Sequence, residues 1–164
     1  MIPLLALALI AQAEARLDRV IAVVDREVIT ESELVLEARL ALARRGATRS
    51  ASQPIDERFL ASFLDYLINQ LLVSTQARRV ASTEVSDDEV AAEIERFADK
   101  FPTRTAFDSF LQDFDVSDDR LRASILRDLR NGVYVTRRMN VRLMGRDLPP
   151  DSTEYIDALE LWLR

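Results

Sequence analysis

The sequence predicts a mainly α-helical bundle of about five to six helices that opens with a short β-hairpin. Three observations carry this. Long stretches repeat apolar residues every three or four positions, as a helix buried along one side requires. Only three glycines and five prolines occur in 164 residues, too few for the many tight turns of an all-β chain. One short segment, Val20 to Ile29, is β-branched and interrupted by charges, which is the pattern of two strands and a turn.

Taken in order, Val20-Ile21-Ala22-Val23-Val24 and Val28-Ile29 flank Asp25-Arg26-Glu27. No glycine occupies that turn, so its type stays open. Thr30-Glu31-Ser32-Glu33 has the spacing of a capping box, a hydroxyl with a glutamate three residues on, and opens a first helix to about Arg45. Gly46 and the Ser/Thr/Gln stretch to Gln53 form a loop. Pro54 precedes the longest helical pattern, about Ile55 to Val80, in which Phe59, Phe63, Leu67 and Leu71 share one stripe with Leu60, Leu64, Ile68 and Leu72.

Ser86-Asp87-Asp88-Glu89 is a second capping box; its helix carries Val90, Ile94, Phe97 and Phe101 on one face, and Pro102 stops it. Thr105 starts a short helix bearing Phe107, Phe110, Leu111 and Phe114. Ser117-Asp118-Asp119 caps the next, which runs to about Asn140 with Leu121, Ile125 and Leu129 facing inward. Val141 to Met144 is a candidate third strand, Pro149-Pro150 a linker, and Ser152 to Leu163 a terminal helix with Tyr155, Leu159 and Trp162.

The composition removes most enzyme classes. The chain has no histidine or cysteine, so it has no Ser-His-Asp or Cys-His nucleophile system, no thiolate or imidazole zinc site and no disulfide. The acidic doublets Asp87-Asp88 and Asp118-Asp119 sit at helix starts, where adjacent side chains diverge into solvent; they suit capping and not a pair of facing catalytic carboxylates. Lys100, the one lysine, lies near a helix end. Arg137, Arg138 and Arg142 complement a helix C-terminus and lack the interleaved aromatics of a nucleic-acid site. With a net charge of −6, general attraction to nucleic acid is not expected. No catalytic residue, metal or cofactor is expected.

Met1-Ile2-Pro3 is followed by the uncharged run Leu4 to Ala11, then by Ala11-Gln12-Ala13 and Ala13-Glu14-Ala15, two small-x-small cleavage patterns. This predicts a signal peptide over 1–13 or 1–15, and hence export, without stable membrane insertion after cleavage. The remainder divides into a domain over 16–146 and a linker with terminal helix over 147–164, the helix either packing back on the domain or completed by a second chain. The phenylalanines exceed what one thin bundle readily hides. Phe59, Phe63, Leu67, Leu71, Phe97, Phe107, Phe110 and Phe114 are therefore the candidate contacts for apolar segments of another polypeptide.

The order of these elements resembles a known family. Asp18 to Asp25, then Val28-Ile29-Thr30-Glu31-Ser32-Glu33-Leu34, then the long helix with Leu67-Ile68-Asn69-Gln70-Leu71-Leu72, are similar to the N-terminal domain of SurA-type periplasmic chaperones, within the SurA, PpiC and trigger-factor-like peptide-binding domains. Ser86 to Glu89, the helix near Phe107 and the helix ending Arg138-Met139-Asn140-Val141 continue the likeness over roughly residues 17–143. The resemblance implies an ATP-independent periplasmic holdase for unfolded outer-membrane proteins. It does not carry over prolyl isomerase activity, since the parvulin domain of many members has no counterpart here. The alternative is a non-catalytic assembly subunit that binds one specific partner or itself as a homodimer.

Overall fold

In a computed structural model, residues 18–80, 83–146 and 148–163 are described. The predicted signal segment lies outside them. The architecture is mainly helical with one two-stranded antiparallel hairpin: β1 (Val20–Val24), β2 (Glu27–Thr30), α1 (Glu31–Arg44), α2 (Thr48–Ala51), α3 (Glu57–Ala77), α4 (Asp87–Ala98), α5 (Arg104–Asp113), α6 (Asp118–Arg142) and α7 (Thr153–Leu163). That is seven helices among the described residues, one more than the upper expectation because the loop after Gly46 contains the single turn α2. Arg39 Nη1 holds that turn by donating to the carbonyls of Ala51 and, at 2.8 Å, Gln53.

The hairpin turn is made by Asp25 and Arg26, with Asp25 at φ 56°. Aspartate tolerates the left-handed region better than most residues, so the turn closes without glycine. Val23 pairs with Val28 and Ala22 with Ile29, but Val20 pairs with Thr30. The extra residue, Ile21, is a bulge. It shifts Val20 onto the same outward face as Val23 and Val28, while Ala22, Val24 and Ile29 point inward.

Helix starts follow the sequence closely. Asp56, Ser86, Thr103 and Ser117 each accept backbone N–H bonds as N-caps of α3, α4, α5 and α6. The Ser86–Glu89 box is complete, with both reciprocal bonds present. The Thr30–Glu33 box is only half formed: Thr30 Oγ1 accepts from Glu33 N, but the Glu33 carboxylate reaches 3.8 Å from Arg120 of α6 instead. Asp18 adds a different cap from outside the helix. Its carboxylate accepts from Ser32 N at 3.1 Å and from the Ser32 hydroxyl, tying the start of β1 to the start of α1.

The expected third strand at 141–144 is not there. Val141 and Arg142 are the last residues of α6, and Leu143 closes the helix as its C-cap. Met144 and Gly145 then take positive φ, and Gly145 N–H returns to Asn140 O at 2.8 Å. Two left-handed residues with that bond curl the chain into a helix stop, which no strand can follow directly. A β-branched valine costs little at the end of a helix already nucleated over six turns.

The core is divided. One cluster joins Leu36, Leu40 and Ala43 of α1 to Val90 and Phe97 of α4, Phe107 and Phe110 of α5, and Leu121 and Ile125 of α6. A second joins Val24 and Ile29 of the hairpin to Leu34 and Ala38 of α1 and to Phe63, Leu67 and Leu71 of α3. Alternate faces of α1 thus serve both. A third and thinner cluster, Val73, Ala77 and Tyr134 with Trp162 against them, attaches α7.

Candidate polypeptide-binding surface

The eight apolar residues expected to contact a client do not form one surface. Phe63, Leu67 and Leu71 are buried beneath the hairpin, and Phe97, Phe107 and Phe110 are buried in the other cluster. These six fill space between elements and present no ring or chain to a partner in this arrangement. The phenylalanines largely cover one another. Phe97 meets Phe107 edge-on at 5.2 Å, and Phe101 lies 5.4 Å from Phe107 and 5.1 Å from Phe110, the offset geometry that aromatic quadrupoles prefer. Phe59 is exposed, stacked on Phe63, and Phe114 is half-buried.

What remains outside is apolar in a different place. On the hairpin's outward face Val20 is 57%, Val23 64% and Val28 48% exposed. A two-stranded sheet has two open edges. Glu31 N donates to Arg19 O beside the hairpin, and apart from the helix start at Thr30 no further backbone bond joins these strands to another element among the described residues.

Beside the start of β1 runs an open groove of about 960 Å³ whose floor is Val35, Leu36 and Phe114 and whose rim carries Asp18, Arg19, Glu31 and Arg39. The Arg39 guanidinium lies 4.2 Å over the Phe114 ring, so this ring is held in place with part of its surface free. The Ser32 hydroxyl, followed by Thr30 and the Ser32 N–H, holds the Asp18 carboxyl below the usual aspartate range, and it stays charged. An apolar floor with charges of both signs around it suits a side chain of an extended peptide together with its backbone dipoles.

The charged seam between α1 and α6 is a brace. Arg127 Nη2 donates to Glu37 at 2.7 Å, and Arg44 donates to Asp128 and, at 3.0 Å, to Ser124 Oγ. Burial of Arg127 disfavours its charge, but Glu37 and Asp128 outweigh this and raise its pKa. Asp87 pairs with Arg122 at 3.1 Å, and the other acidic doublet residues face solvent at helix starts. Among the described residues, no three acidic or other ligating side chains gather where a metal could be held, and no helix is long and apolar enough to cross a membrane.

The exposed valines escaped sequence reasoning because the adjacent Val23 and Val24 point opposite ways, their faces set by pairing with Val28 and Glu27, and the bulge at Ile21 alone brings Val20 to the outward face. Arg39 and Phe114 pair across 75 positions, beyond any local signal. No family model, curated protein or solved structure matches this chain.

Proposed function

We propose that this domain binds extended segments of other polypeptides without ATP and without catalysis, in the manner of a chaperone. The observation that supports it best is the hairpin: an outward face of three exposed valines, two open strand edges, and an apolar groove beginning where β1 begins. A segment laid along an open edge gains main-chain hydrogen bonds of no particular sequence, and the valines and Phe114 add apolar contact. Such binding is promiscuous, with affinity of about micromolar order. The sequence resemblance to SurA-type N-terminal domains supports the periplasm as its compartment, with the first residues as export signal, and unfolded outer-membrane proteins as its clients.

Titration of a labelled, aromatic-rich unfolded peptide tests this. Saturable binding is expected, and Val23→Asp with Val28→Asp should abolish it while leaving the circular dichroism spectrum intact. Absence of binding by the parent chain, or undiminished binding by the variant, refutes the proposal. A second reading, an assembly subunit with one fixed partner, is favoured by the filled aromatic core, since six of the eight candidate contact residues are buried. It is distinguished by tight binding of a single partner and none of unfolded peptide.

A further inference from the structure

Helix α7 is short of cover. None of its described side chains is buried, although Tyr155, Ile156, Leu159, Leu161 and Trp162 are all apolar or aromatic. An isolated helix of 11 residues is marginal in water, so its stability must come from packing. Within the chain that packing is thin, chiefly Trp162 at 6.0 Å from the Tyr134 ring. On the outer side Ile156 and Glu160 form one row and Asp157 and Leu161 another, each pair four residues apart. This face is apolar and acidic.

The end of α6 is its complement. Val141 is 80% and Met144 92% exposed, and around them Arg137, Arg138 and Arg142 are exposed as well. Arg138 is engaged with Tyr134, and among the described residues no carboxylate lies within ion-pair distance of Arg137 or Arg142. One exposed face is thus apolar and basic, the other apolar and acidic. Packing α7 on α7 would set acid against acid, and packing the two α6 ends together would set arginine against arginine. Only the crossed arrangement matches both.

We infer that a second copy of this chain covers these faces, the α6 end of each protomer receiving α7 of the other in a reciprocal pair. A two-fold arrangement makes every such contact twice, which is how a modest patch reaches useful affinity. This interface does not involve the hairpin, so it stands or falls apart from peptide binding.

Sedimentation velocity over a wide concentration series tests it with the full chain. The expected result is a monomer–dimer equilibrium that weakens as salt is added. Val141→Asp with Met144→Asp, at positions already in water, should remove the dimer without unfolding the chain. Arg137→Glu with Arg142→Glu should weaken association about tenfold, as should Asp157→Arg with Glu160→Arg, because each exposed pair contributes modestly but occurs twice. Combining the two reversals should restore it. A monomer at every concentration overturns the inference, as does a dimer indifferent to these changes.

Discussion

The aromatic cluster around Phe107 and the outward face of the hairpin are both rich in apolar residues, yet they serve opposite ends. Phe97, Phe101, Phe107 and Phe110 turn toward α1, α4 and α6 and are nearly removed from water, so their surface is spent on holding the fold together. Val20, Val23 and Val28 sit on a sheet of two strands whose inner face alone finds a core. Their surface is left over. Hydrophobicity in the sequence therefore marks surface that must be covered by something, and the fold determines whether the cover lies in the same molecule.

The largest effect should come from the first region. Phe107→Ala leaves a cavity among rings that cannot easily close in, and should cost about 4 kcal/mol in denaturant unfolding. Val23→Asp on the hairpin should move the same midpoint by less than about 0.5 kcal/mol. Equal losses would break the contrast. Next is the α1–α6 brace: Glu37→Gln leaves the partly buried Arg127 without its nearest carboxylate and should cost about 2 kcal/mol, readable in the same titration.

The smallest effect concerns the α4 capping box. Ser86→Ala should cost about 1 kcal/mol. Glu89 is held below its usual pKa by the Ser86 backbone N–H and then by the Ser86 hydroxyl. A carboxylate depressed in the folded state stabilises it above its unfolded pKa, and that contribution disappears as pH falls through the lower folded value. The parent chain should therefore lose more stability than Ser86→Ala between neutral and acid pH, compared by thermal melts. A parallel loss in both would detach the box from the acid response.

Helix placement was largely legible. The caps Ser86 and Ser117 lie where hydroxyl and acid place them, because these act within one turn of chain, whereas α4 ends at Ala98, leaving Phe101 and Pro102 in the bend beyond it. The strand assigned to Val141–Met144 failed. Its valine suits a strand, but α6 carries on through Arg142 and stops at Met144 and Gly145, where the glycine is the sequence signal of a helix end. The binding surface was the least legible part. Periodicity identifies which residues of α3, α4 and α5 share a stripe, yet it does not reveal that α1 lies over that stripe in one case and the hairpin in the other. Asp18, which caps α1 from fourteen residues upstream, is invisible for the same reason.

Helix α1 belongs to both large cores, with Leu34 and Ala38 turned to one and Leu36, Leu40 and Ala43 to the other. Loosening either side strips half the packing from this helix, and the other side then loses its wall. The hairpin with α3 and the phenylalanine-rich half are therefore expected to be thermodynamically linked, with the amides in the middle of α1 among the slowest to exchange. A client settling on the hairpin would in this way stabilise rings at the far side of the molecule that it never touches.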